Sequence, residues 1–92
     1  MRFPYFNVEF KKNYSSDLIL VSGEIRNYSG KGYNTVAYKI ILYRKSKIIG
    51  TGIIKLYDFK AHFTRTFEAV LDINYKMIPK ITGFDIVFES GY

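Results

Sequence analysis

Apolar residues fall on every second position along most of this chain. Phe6, Val8 and Phe10 alternate with Asn7 and Glu9, and Ile19, Val21, Gly23 and Ile25 alternate with Leu20, Ser22 and Glu24. The longest run sets Val36, Tyr38, Ile40 and Leu42 against Ala37, Lys39, Ile41 and Tyr43. Phe63, Phe67, Ala69 and Leu71 share one parity with Thr64, Thr66 and Glu68 on the other, and Phe84, Ile86 and Phe88 close the series. Successive side chains of a strand point to opposite faces, so this period predicts strands with one face on a core. No long stretch keeps the helical period. One helical turn between Asp72 and Lys80, before Pro79, is all the helix the pattern predicts.

The links between runs hold most of the Gly, Ser, Asn and Pro: KNYSSD, NYSGKGYN, RKSK, LYDFKAH and NYKMIPKITG. Six or seven short strands separated by such turns are the pattern of an antiparallel sandwich or barrel. In ILYRKSKIIGTG, Ile41 to Gly52, the basic patch Arg44-Lys45-Ser46-Lys47 joins two strand-like runs and reads as a hairpin tip. Charge at such a tip discourages edge-to-edge aggregation. Gly23 inside a strand predicts a bulge or a close backbone approach. Asn27 at a strand end is suited to an Asx turn. Leu42 and Tyr43 face opposite sides of one sheet, which places the tyrosine hydroxyl near a sheet edge, in water.

Composition narrows the class. With 92 residues the chain is one domain, residues 1–92, and with no cysteine its stability must come from an apolar core. Eight Phe and nine Tyr within a 48% hydrophobic sequence supply that core. The net charge of +6 favours anionic partners through long-range attraction, yet the basic residues are scattered singly, as solubility alone would have them. No run approaches the roughly 18 apolar residues of a membrane span. Glu9, Lys11 and Lys12 interrupt the N-terminal stretch where a signal peptide needs an apolar core. The expectation is a soluble chain without membrane insertion, cytoplasmic as given, or extracytoplasmic if excised from a longer envelope protein.

The run VSGEIRNYSGKGYNTVAYKIILYRKSKIIGTG resembles the FxLYD domain family of small bacterial immunoglobulin-like β-sandwich domains. The matching residues are Gly23-Glu24-Ile25-Arg26-Asn27, Ser29-Gly30-Lys31, the strand from Val36 to Tyr43, and Gly50-Thr51-Gly52. Downstream, Phe67-Glu68 in TRTFEAVL stands where the family has its next strand. The likeness spans about residues 18–71. It departs at Ile40, where the family has Phe, at Arg44, where it has Asp, and at Ala61-His62, where it has a Pro-Gly turn. Leu56-Tyr57-Asp58 repeats the family's letters at the wrong spacing. The resemblance implies an immunoglobulin-like sandwich of about seven strands, acting as a non-catalytic interaction or spacer module, often in envelope-associated proteins.

Catalytic chemistry finds little to work with. Nucleophilic catalysis needs a nucleophile, a base and an orienting group, and the lone His62 sits in a turn with no nearby Ser. Zinc needs three or four Cys, His or carboxylate ligands, and no loop holds the several acids that calcium requires. The Ser29–Gly32 loop lies between strands rather than before a helix, so it is a turn and not a phosphate cradle. The sequence therefore predicts no enzyme, no metal and no cofactor. Single-stranded nucleic acid is the alternative partner. Tyr28, Tyr33, Tyr38 and Tyr43 interleave with Arg26, Lys31, Lys39, Arg44 and Lys45, the combination that stacks bases in a basic groove, with Arg44, Lys45 and Lys47 as polyanion contacts.

The leading expectation is protein docking. YKIILY and KIIGTGII are apolar on both parities, and a sandwich this small covers only one face of each sheet. The outward parity, Lys39, Ile41, Tyr43, Ile48 and Ile54, is the candidate surface for a protein partner or a second copy of the chain.

Overall fold

The computed structural model describes residues 2–92. Six strands follow one another: β1 (Tyr5–Lys12), β2 (Leu18–Arg26), β3 (Tyr33–Arg44), β4 (Lys47–Phe59), β5 (Thr64–Asn74) and β6 (Gly83–Gly91). A 3₁₀ helix, Tyr75–Lys80, crosses between the last two, and it includes Pro79. The Asn74 side chain accepts from the Lys76 N–H at 2.9 Å and starts that turn. All pairing is antiparallel, in two three-stranded sheets ordered β1-β2-β5 and β4-β3-β6.

The expected count was about seven and six are present; the largest departure from the expected bounds lies in β4. Its 13 residues run unbroken through Leu56-Tyr57-Asp58, which read as a connection. Asp58 takes φ 52° within the strand, a conformation that Asp tolerates better than most residues. The basic hairpin is also tighter than expected, because Arg44 pairs with Lys47 and only Lys45 and Ser46 form the loop. Lys45 takes φ 56°, the left-handed geometry that suits the twist of a two-residue hairpin loop.

The core lies between the sheets. Ile19, Val21 and Ile25 of β2 meet Val36, Tyr38, Ile40 and Leu42 of β3, all at 0% exposure. These are the inward parities of the alternating pattern, and each buried aliphatic contributes roughly 1.5–3 kcal/mol relative to exposure. Two inward assignments are overturned. Phe63 precedes β5 and is 55% exposed. A bulge between Phe6 and Glu9, with Asn7 at φ 54°, puts Phe6 opposite Glu24 on the outer face, 45% exposed. The extra residue resets the parity of β1, so Val8 and Phe10 still pack against the core.

The two sides of the sandwich close differently. Along β4 and β5, Gly50 and Gly52 face inward, and a Cβ on either would collide with Ile73 or Leu71. Their absent side chains let β5 pack directly on the β4 backbone. The Arg65 guanidinium then donates across the sheets to the carbonyls of Tyr57 (2.8 Å) and Asp58 (3.3 Å). On the other side, aromatic rings hold β1 and β6 apart. Phe84 lies 5.6 Å from Tyr5 and 5.5 Å from Phe10, centroid to centroid. Ahead of β1, Phe3 stacks on Phe88 at 5.4 Å and meets Tyr38 edge-on at 5.2 Å.

Asn27 is a buried polar residue with its hydrogen bonds made. Its Nδ2 donates to the carbonyls of Lys31 (2.7 Å) and Phe59 (3.2 Å), and its Oδ1 accepts from the Ser29 N–H (3.0 Å) and hydroxyl (2.6 Å). The expected Asx turn is there. It also ties the β2–β3 loop to the end of β4. Gly23 faces the Phe67 ring, and a Cβ there would lie 3.0 Å from it, which is the close approach expected of a glycine inside a strand.

Candidate functional site

The outer face of the β4-β3-β6 sheet is built in rungs fixed by strand register. Ile53, Lys39 and Val87 form one rung; Thr51, Ile41 and Asp85 the next; Ile48, Tyr43 and Gly83 the last before the hairpin. Ile48 is 61% exposed, Ile53 53% and Val87 46%, with Ile41 and Tyr43 partly exposed beside them. Lys39 thus stands between Ile53 and Val87, one rung from Ile41. The surface is apolar with a cation near its middle.

Four of the five residues expected here, Lys39, Ile41, Tyr43 and Ile48, lie on this face. Ile54 does not. It pairs with Tyr38 and is buried, 1% exposed. The cause is a bulge: Tyr43 pairs with Ile48 but Leu42 with Gly50, which leaves Ile49 as an extra residue turned toward the core. Beyond it the outward parity changes, and Ile53 takes the place assigned to Ile54. Val87, on a strand whose period was read only for its core side, completes the patch.

Tyr43 is on the outer face, but β3 is the central strand, so its hydroxyl is not at a sheet edge. It donates to an Asp85 carboxylate oxygen at 3.0 Å across to β6. That hydrogen bond holds the phenol above its ordinary ionisation range.

The hairpin tip gathers Arg44, Lys45 and Lys47 around a shallow hollow of about 320 Å³ that Ser46 also lines. The Lys45 N–H donates to Thr82 Oγ1 at 2.6 Å, and the Thr82 N–H donates to the Tyr43 carbonyl at 2.8 Å, so the β5–β6 connection braces the tip. The four tyrosines named for base stacking do not assemble beside it. Tyr38 is fully buried because it lies on the inward parity of β3, and Tyr33, at the start of that strand on the other parity, is 6% exposed where it packs against Phe3 and Phe88. Tyr28 follows β2, under the Arg26 guanidinium at 4.8 Å, while Tyr43 neighbours the tip.

The outer face of the other sheet has the opposite character. A cleft of about 570 Å³ there is walled by Glu9, Glu24 and Glu68, with Asn7 Nδ2 donating to Glu24 at 2.6 Å. Among the described residues no group of three or more His, Asp or Glu is arranged to hold a metal ion. His62 occupies the β4–β5 turn at φ 67°, with its N–H donating to the Asn27 carbonyl. No helix is long and apolar enough to cross a membrane among the described residues. No protein-family model, curated protein or solved structure matches the chain.

Proposed function

We propose that this protein is a non-catalytic interaction module of the immunoglobulin-like β-sandwich type that docks through the outer face of its β4-β3-β6 sheet. The observation that carries this reading is the contiguous exposure of Ile48, Ile53 and Val87 around Ile41, Tyr43 and Lys39. Scattered single apolar residues are ordinary on a surface, whereas a joined patch marks a contact. The sheet order supports the sandwich type, since β1-β2-β5 against β4-β3-β6 places the first, second and fifth strands opposite the rest. The FxLYD resemblance rests on the sequence alone; at Ala61-His62, where the family has a Pro-Gly turn, His62 takes a left-handed φ. An envelope setting for the module is part of the same proposal.

Sedimentation velocity over a concentration series tests the docking face with a second copy as partner. Reversible self-association that Ile53→Glu abolishes without loss of fold supports it. A wild-type chain that stays monomeric and behaves as Ile53→Glu does at every concentration overturns self-docking through this face.

A second reading rests on the hairpin tip, where Arg44, Lys45 and Lys47 converge with no acid among the lining residues. Polyanion binding there would weaken steeply with salt, in proportion to the phosphates neutralised. Anisotropy of labelled single strands, with Arg44→Glu and Lys45→Glu as the control, measures it directly.

A further inference from the structure

Of the four outer edges in the two sheets, three carry the devices that stop a strand from pairing with another chain. β1 is bulged at Asn7 and ends in Lys11 and Lys12. β4 carries Lys47 and Lys55, and Arg65 of β5 already donates to its carbonyls at Tyr57 and Asp58. β5 lies against β4 along the glycine seam. β6 is the least protected. Its nine residues, GFDIVFESG, contain no Lys, Arg or Pro, its bulge at Glu89 lies near its end and leaves Gly83–Phe88 regular, and among the described residues no strand pairs with its outer edge.

The core is also unfinished beneath that edge. All three inward side chains of β6, Phe84, Ile86 and Phe88, remain partly exposed, whereas on the closed side Ile54, Leu56, Phe67 and Leu71 are buried and Ile49, Ala69 and Ile73 are partly exposed. A groove of about 250 Å³ runs along β6, lined by Arg2, Phe3, Ile86, Val87 and Phe88. Two carboxylates mark the strand, Asp85 and Glu89. Neither forms an ion pair among the described residues, on a chain whose net charge is +6.

We propose that the outer edge of β6 accepts an extended segment of a partner protein as a fourth strand of its sheet, a segment that alternates apolar with basic residues. Backbone N–H and C=O groups of the edge supply affinity, and alternate side chains supply selectivity, as in other cases of strand addition. The segment's apolar residues cover the half-exposed Ile86 and Phe88 above the groove. Its basic residues fall on the outer face beside Asp85 and Glu89, which favours a basic strand over a second copy of the acidic β6. The site borders the Ile48–Ile53 patch along β6, at Val87 and at Asp85, whose carboxylate also accepts from Tyr43.

The test uses a synthetic peptide as long as β6 that alternates lysine with valine, titrated into the ¹⁵N-labelled full chain. The expected result is saturable perturbation concentrated in β6 amides, unchanged in Ile53→Glu and weakened about tenfold or more in the Asp85→Lys, Glu89→Lys double variant. Both replaced side chains are exposed, so the fold is expected to survive. Two copies of the peptide, each N-methylated on one alternate set of amides, keep the charge and change the pairing. Loss of binding with only one of them supports strand addition. Equal binding by both, equal binding by a scrambled peptide, or no perturbation of β6 overturns the proposal. So does perturbation of β6 by added unlabelled chain in place of the peptide, which would assign the edge to self-pairing.

Discussion

Tyr38 and Asn27 are both at 0% exposure, and they illustrate opposite ways of burying a polar group. Every polar atom of the Asn27 side chain is used, whereas the Tyr38 hydroxyl has no hydrogen-bond partner among its neighbours. An unmet buried hydroxyl costs about 1–3 kcal/mol, so Tyr38→Phe is expected to leave stability unchanged or raise it by about 1 kcal/mol in denaturant unfolding. Asn27→Ala strands the loop groups it serves and is expected to cost about 2–4 kcal/mol in the same assay. Burial also pushes the Tyr38 phenol upward, so the unfolded chain ionises first as pH rises. Its contribution is therefore fully present below about pH 10 and is lost above it. Tyr38→Phe should flatten that alkaline decline, measured as urea midpoint against pH. At His62, φ 67° carries a penalty that glycine escapes, against which glycine adds disorder to the unfolded chain. His62→Gly is expected to lie within about 1 kcal/mol of wild type, and a β-branched replacement such as His62→Val to lose clearly more.

Strands were legible in the sequence because their side chains alternate, and registers were not, because a bulge leaves no mark in composition. One extra residue at Ile49 moved the outward position from Ile54 to Ile53, and one at Asn7 turned Phe6 outward. Most of the candidate face was therefore readable from the parity of β3, while its β4 member was displaced by one and its β6 member, Val87, went unread. Phe3 escaped notice because it precedes the alternating run, though its ring is 9% exposed among Tyr33, Tyr38 and Phe88. Gly50-Thr51-Gly52 read as a strand motif, but its reason is the opposite sheet. Gly52→Ala drives a methyl into Leu71, which is fully buried and cannot turn away, and a cost of about 2–3 kcal/mol is expected. Gly50→Ala overlaps Cδ1 and Cγ1 of Ile73, but that side chain is only partly buried and has room to turn aside, so the change should cost less. Paired thermal unfolding of the two variants orders them.

The molecule as a whole is closed firmly on one side and loosely on the other. Phe3 carries much of the closure on the loose side, since it fills the space that β1 and β6 leave between them. Phe3→Ala is expected to cost about 3 kcal/mol and to speed hydrogen exchange in β6 more than in β4. The chain's two ends share that side and one end of the sandwich. The Arg2 carbonyl accepts from the Tyr28 N–H at 2.8 Å, and the Tyr92 N–H donates to the Thr35 carbonyl at 3.0 Å, both beside the β2–β3 loop. This arrangement has a mechanical consequence. Tension applied through the two ends draws β1 off β2 and β6 off β3 from their outermost hydrogen bonds, which give way one after another as in a zipper. Tension between Ser46 at the hairpin tip and Tyr92 instead runs along the strands and strains many bonds together. In a chain free of cysteine, a single thiol at Ser46 provides the handle, and the second geometry should resist the greater force. As a spacer, such a domain would yield early and lengthen, so that a pull on its neighbours is absorbed before it reaches them.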